Sequence, residues 1–290
     1  MKKITIAVLV LAMLFAFSAC GKNEGDNAVT TTPEATATPE ATATPEPTAT
    51  PEATPTPEAT ATPEPTPTYA PEDKVVWDTS DVDVSWIDPD AKLIAFTFDD
   101  GPTAYYSQLL DVLEENDAHA TFFVWGSRYS ASYEDDIKRV IELGCELGNH
   151  TWDHKYLTDL STEEIAEQVE KVRALLESIT GISDYLVRPP YGSTSTTVNQ
   201  TIKVPLICWS IDSADWNNGD YDSVYNNVMS KACDGAIVLM HANYQYTVDA
   251  VKTMIPELKA QGYTFVTVSE LAAAKGYTLT SGSAVWSAIK

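Results

Sequence analysis

A Thr-Pro-Glu triplet begins at Thr32, Thr38, Thr44, Thr50, Thr56 and Thr62, a strict six-residue period that withdraws the early part of this 290-residue chain from any packed core. Proline fixes φ and carries no N–H, so at this density neither a helix nor an interior strand continues, and extended polyproline conformations are favoured. The period carries no apolar side chain larger than Ala. That rules out a solenoid, whose repeats stack by burying a hydrophobic face. Residues 21–74 are therefore expected to form a disordered Thr/Pro/Glu-rich linker, its threonines open to O-glycosylation. At about 3.1 Å per residue, some fifty such residues reach on the order of 150 Å.

Ahead of the linker, Met1 to Cys20 has two lysines, an uncharged apolar run from Ile4 to Phe17, and small residues before a cysteine. That is the layout of a secretory signal, with a core too short to span a bilayer comfortably. Phe17-Ser18-Ala19-Cys20 also resembles a bacterial lipobox, although Phe17 stands where Leu is usual. Cleavage before Cys20 would leave that residue lipidated, so the expected localisation is extracellular, anchored to the cell membrane through Cys20.

Residues 75–290 hold one domain's worth of aliphatic and aromatic chain, with an α/β core expected over about 91–275. Ten acids and four lysines precede Val75, so of the chain's net charge of −24 this part carries −18. Such a surface repels phosphate backbones, and nucleic acid is not an expected partner. Cys145, Cys208 and Cys233 have neither the even count of a disulfide framework nor the spacing of a zinc or redox motif.

From Lys92 onward short apolar runs alternate with helical periodicity. The runs are Leu93 to Phe98, Ala120 to Trp125, Cys145 to Gly148, Tyr185 to Val187, Val204 to Trp209, Ala236 to Met240 and Tyr263 to Val268. Between them apolar residues recur at helical spacing, and Ser161-Thr162-Glu163-Glu164 reads as a capping box opening the longest helix. Strands apolar on both faces and alternating with helices predict a parallel sheet covered by helices. About seven repeats predict a distorted (β/α) barrel, with the chemistry collected where strands end.

At those ends stand five short motifs. Asp99-Asp100-Gly101-Pro102 follows the first strand; alone it reads as a turn, but two adjacent acids at a buried strand end need a cation. His150-Thr151-Trp152-Asp153-His154 follows the third and offers a His-x-x-x-His pair without the glutamate of an HExxH protease. Arg188-Pro189-Pro190-Tyr191, Asp212-Ser213-Ala214-Asp215-Trp216 and Leu239-Met240-His241 end later strands. Each has a bland reading: a surface arginine, a capping turn, a core histidine. Two of the chain's four histidines in one pair, and a third at another strand end, argue against coincidence.

In this order the motifs resemble those of the polysaccharide deacetylase family, carbohydrate esterase family four, also called the NodB-homology domain, over about Leu93 to Ala272. The resemblance implies that Asp99 is the general base and that Asp100, His150 and His154 hold a divalent metal, zinc first, with cobalt, nickel or manganese as alternatives. It implies that Arg188 holds Asp99, that the Tyr191 N–H donates to the oxyanion, and that His241 is the general acid, oriented by Asp212. Trp216 and Leu239 would wall the acetyl pocket. The chain departs from the family's pattern at Ala242-Asn243, where Asp often follows the acid histidine, and at Cys145, where a polar residue is common.

The implied activity is metal-dependent removal of N-acetyl groups from N-acetylglucosamine residues of a cell-surface polysaccharide, peptidoglycan before others, by a monomer. O-acetyl esterase action on acetylxylan and deacetylation of chitooligosaccharides are the alternatives within the enzyme class. An inactive carbohydrate-binding surface protein is the alternative outside it.

Overall fold

The structure, a computed structural model, describes residues 75–217 and 219–290. The signal peptide, Cys20 and the linker expected for residues 1–74 lie outside the described residues.

Strand β1 (Lys92–Gly101) organises the sheet, because every residue from Leu93 to Phe98 is buried. A strand apolar on both faces needs cover on both, which a parallel sheet with crossover helices provides. It pairs in parallel with β2 (Ala120–Val124), β6 (Ala236–His241) and β7 (Tyr263–Phe265). Farther out, β3 (Glu146–Asn149) joins β2 and β5 (Ile211–Asp212) joins β6, giving the order β3-β2-β1-β6-β5 with β7 on β1. A separate parallel ladder pairs β4 (Leu206–Ile207) with β8 (Ala284–Val285).

The barrel expected from seven repeats is not closed. Between β3 and β4 the only bridging residue among those described is Val187, which pairs with Asn149 on one side and Leu206 on the other. The apolar run Tyr185 to Val187 is thus a bridge rather than a strand, and β4 and β5 belong to different sheets. Proline explains the shortness of these elements. Pro189 and Pro190 end one run and Pro205 opens the next, and none has an N–H to extend a ladder.

The helices are α1 (Tyr106–Glu115), α2 (Glu134–Glu142), α3 (Thr162–Thr180), α4 (Thr196–Thr201), α5 (Tyr221–Met229), α6 (Gln245–Ala260) and α7 (Val268–Ala274). The expected capping box opens α3: Ser161 Oγ accepts from the Glu164 N–H and the Glu164 carboxylate accepts from the Ser161 N–H. Gly181 ends that helix in the left-handed conformation. None of the described helices is long and apolar enough to cross a membrane.

Pleating divides the core and aims the site. On β1, Ile94, Phe96 and Phe98 join the cluster beneath α1 and α6, whereas Leu93 and Ala95 join a second cluster with Ile207, Ile237 and Val266. Side chains two apart share a face. Thr97 and Asp99 therefore continue the Leu93–Ala95 face, which turns from apolar to polar toward the strand's C-terminal end.

Residues 276–290, to which the sequence assigns no role, complete this second cluster through Leu279 and Ile289. They also supply β8.

Candidate active site

In a regular strand Asp99 and Asp100 would point to opposite faces. The β1–β2 register slips by one residue between Phe98 and Gly101, and Asp100 takes φ 67°. This bulge turns both carboxylates toward one histidine. Asp99 Oδ2 lies 3.7 Å and Asp100 Oδ1 3.6 Å from His150 Nε2. A left-handed non-glycine residue costs roughly 1–2 kcal/mol. Among the described residues six take positive φ without being glycine, and Asp100, Thr151, His154, Tyr191 and Ala214 all belong to this site. Such clustering of local strain is the mark of a working site rather than of loops in general.

The His-x-x-x-His segment is a compact loop rather than a helical turn, since Thr151 and His154 are both left-handed. Asn149 Oδ1 accepts from the Thr151 N–H, and Gln168 of α3 both accepts from the Asp153 N–H and donates to its carboxylate. His150 Nδ1 donates to the Arg188 carbonyl at 2.7 Å, which leaves the Nε2 lone pair facing Asp100. Burial lowers the His150 imidazole's pKa, favouring the neutral ring that a metal requires. His154 Nδ1 pairs with the Tyr191 hydroxyl at 3.1 Å, and its Nε2 lies 3.2 Å from Asp100 Oδ1.

Asp100, His150 and His154 fit a divalent cation. One ligand atom from each lies within 4.8 Å of the others. Asp100 Oδ1 is buried without a hydrogen-bond donor, which is costly for a carboxylate unless a cation meets it. Burial alone would raise this carboxyl, but the contact with His154 and the charges of His150, His154 and His241 hold it well below the usual carboxylate range. Asn243 and Arg128 complete the setting: Asn243 Nδ2 donates to Asp100 Oδ2 at 3.0 Å, while Arg128 donates to the Asp100 carbonyl and to Asn243 Oδ1. Trp125 stacks on His154 with ring centroids 4.4 Å apart.

A saturating divalent cation at about 100 times its Kd is expected to stabilise the protein by about 2.7 kcal/mol, a rise in Tm of roughly 5–10 °C. Calorimetry with and without chelator measures this. Asp100→Ala should abolish the rise, and Asn243→Ala should weaken metal affinity by about tenfold through the freed Asp100 carboxylate.

Arg188 is wholly buried. Its guanidinium donates to Asp99 Oδ1 at 2.9 Å, to Thr97 Oγ1 and to the carbonyls of Ile207 and Cys208, with its flat face over the Phe123 ring. Asp99 is thereby fixed on one oxygen, and its Oδ2 is left toward the cavity.

His241 is the register partner of Asp99 on the adjacent strand. The residue that orients it is Asp215, which corrects the expectation of Asp212. Asp215 Oδ1 is 2.7 Å from His241 Nδ1, and its Oδ2 accepts from the His241 N–H and from Thr247 Oγ1. The left-handed turn at Ala214 separates the two acids. Asp212 instead accepts from the Ala214 N–H and the Trp216 indole N–H, so it positions the pocket wall. Burial would lower the His241 pKa, but the Asp215 hydrogen bond and charge, with Asp99 and Asp100 behind it, push it up to about 9.

Asp99, Asp100, His150, His154, Asp212 and His241 line a cavity of about 390 Å³ with Tyr156, Tyr191, Trp209, Trp216, Leu239 and Tyr244. Tyr156, Trp209, Tyr244, Trp125, Arg128 and Asn243 also belong to the site, and no motif in the sequence marks them as parts of it. Trp125 and Asn243 were open to the same strand-end argument, because each lies within two residues of the end of β2 or β6. Arg128 carried no such signal.

The polysaccharide deacetylase family profile matches residues 87–204, a range that includes Asp99, Asp100, His150, His154, Arg188 and Tyr191. Over 186 residues the chain is 40% identical to the peptidoglycan-N-acetylmuramic acid deacetylase PdaC of Bacillus subtilis, covering 64% of this chain and 40% of that one. Over 198 residues it is 39% identical to a peptidoglycan-N-acetylglucosamine deacetylase of Bacillus cereus, covering 65% of this chain and 92% of the relative. The solved structure of T48 deacetylase with substrate matches with a TM-score of 0.65 at 36% identity, over 69% of this chain and 99% of that one. The chain thus spans well under half the length of the Bacillus subtilis relative.

Proposed function

This chain belongs to the polysaccharide deacetylase family, and from that premise we propose that it hydrolyses N-acetyl groups on N-acetylglucosamine residues of peptidoglycan, outside the cell. The observation that carries the reading is the pairing of Asp99 with His241 across adjacent strands, a carboxylate and an imidazole side by side next to three side chains placed to hold a metal.

Amide hydrolysis needs a proton removed from water and a proton given to the leaving nitrogen. Asp99 takes the first; Arg188 fixes one oxygen and leaves the other facing the cavity. Asp100, His150 and His154 would hold a divalent cation, zinc by its fit to imidazole and carboxylate donors, with cobalt, nickel or manganese as competitors, which when bound would polarise the acetyl carbonyl and lower the pKa of water. The Tyr191 N–H donates to the oxyanion, a contribution of about 3 kcal/mol for one such donor. His241, kept protonated by Asp215, gives its Nε2 proton to the departing amine. Leu239 and Trp216 exclude water around the acetyl methyl. Acetate is released, and a glucosamine unit with a free amine remains in the glycan.

The chain ahead of the site fits a polymer at the cell surface. In this reading residues 1–20 act as a lipoprotein signal peptide, Cys20 carries the membrane tether, and residues 21–74 are the Thr/Pro/Glu-rich spacer between the tether and the domain that carries the site.

The test is acetate release by the full chain from peptidoglycan, N-acetylglucosamine oligomers and acetylxylan, with the deacetylated sugar identified by mass spectrometry. Free glucosamine in peptidoglycan is expected. Acetate release confined to acetylxylan would make the protein an ester hydrolase, de-N-acetylated muramic acid in the glycan would move the target to the neighbouring sugar, and no release would leave a binding protein.

A further inference from the structure

We infer that the C-terminal tail builds a glycan subsite beside the acetyl pocket, in which the indole of Trp286 carries a sugar ring adjoining the one that is deacetylated. The inference rests on the function proposed above and names the form of substrate: a polymer held over several units.

The tail is fixed in place. Val285 pairs with Ile207 and its carbonyl accepts from the Cys208 N–H. Leu279, Ser281 and Ile289 are buried, and the Ile289 N–H donates to the Gly235 carbonyl. Gly235 is left-handed, and a Cβ there would lie 1.8 Å from the Ile289 carbonyl oxygen, so the chain admits only glycine opposite this end of the tail. Trp286, one residue beyond the Val285 pairing, therefore has a defined position.

That position adjoins the pocket. The Trp286 ring centroid is 5.2 Å from that of Trp209, which lines the cavity. Trp286 also fills the space that a side chain at Gly192 would need, since a Cβ there would come within 2.4 Å of the indole and 3.2 Å of Trp209. Gly192 follows Tyr191, also a cavity residue. Trp286 is thus one ring outward of the wall formed by Trp209 and the Tyr191 turn.

It is also 47% exposed. Packing alone does not explain an indole left half in water, because each exposed apolar Å² forgoes about 25 cal/mol. Tyr156, Tyr191 and Trp216, each a cavity residue, are exposed to a similar degree. A ring of open aromatic faces around a polar pocket suits pyranose rings, whose C–H faces stack on aromatic planes while their hydroxyls stay in water. The charge of −18 over residues 75–290 disfavours a ring that bears a free anion at this spot and favours a neutral N-acetylated sugar ring as the occupant.

The experiment is isothermal titration of the full chain with the hexamer and the dimer of β-linked N-acetylglucosamine, acetate being assayed in the same samples. Trp286→Ala should raise the Kd for the hexamer about tenfold and lower the hexamer-to-dimer affinity ratio, and Trp286→Phe should restore most of both. Equal losses on hexamer and dimer would overturn the inference, assigning Trp286 to bracing Trp209. So would an unchanged hexamer affinity, or no hexamer binding by the unaltered protein. Binding with the expected Trp286 dependence but without acetate release would uphold the subsite and sink the deacetylase reading instead.

Discussion

Asp99→Asn is expected to lower acetate release by about 10²- to 10⁴-fold, the usual contribution of a general base, while metal content stays unchanged. Asparagine keeps the shape of the side chain and can still accept from Arg188, but its amide cannot take a proton from water. The substitution also strips a fully buried guanidinium of its charge partner. Breaking such a pair typically costs about 3–5 kcal/mol. The loss should fall toward the lower end, because Thr97 Oγ1 and the carbonyls of Ile207 and Cys208 still accept from Arg188. Thermal melts beside the activity assay separate the two effects: a folded, metal-loaded variant with turnover lost is the expected outcome. Activity within tenfold of the unaltered protein would mean that the proton leaves by another group.

The same buried pair shows what the sequence could and could not reveal. Asp99, Arg188 and His241 were legible because each directly follows an apolar run, and a parallel sheet brings the ends of such runs together. The paired direction of Asp99 and Asp100 was not. Strand alternation places them on opposite faces, and only the one-residue slip against β2 with a left-handed Asp100 reverses that. Asp212 and Asp215 pose the same difficulty three residues apart, where the conformation of Ala214 decides which acid reaches the histidine. The open sheet was hidden for a related reason. Seven apolar runs are visible in the sequence, but whether a run of three becomes a strand depends on prolines on either side and on the tail pairing with β4. That tail carries no periodicity of its own, so its part in the wall could be seen only in three dimensions.

Asp215→Asn should separate the two proton transfers from each other. Asp215 is fully buried and receives the His241 N–H and Thr247 Oγ1 on one oxygen and His241 Nδ1 on the other. An asparagine that keeps its oxygen on the side of the two donors must turn its NH₂ toward Nδ1. The imidazole then becomes an acceptor there and holds its proton on Nε2 as a neutral ring, a poor acid. Amide hydrolysis is expected to fall by about 10²- to 10⁴-fold. Hydrolysis of 4-nitrophenyl acetate, whose leaving group departs without a proton, should change by less than tenfold, whereas Asp99→Asn should suppress both substrates. The pH profile carries the same sign. In the unaltered protein His241 has its pKa raised from 6.5 to about 9, so its protonated form, and the stability it contributes, is fully present below 6.5 and lost as pH rises toward 9. A bound cation offsets the share owed to Asp99 and Asp100, which places the alkaline limb of amide hydrolysis between those two values. Without the Asp215 charge, burial is opposed only by the more distant carboxylates of Asp99 and Asp100, and the limb should move to lower pH. A limb that stays in place after Asp215→Asn, or equal losses on amide and nitrophenyl ester, would mean that His241 is not the group that protonates the amine.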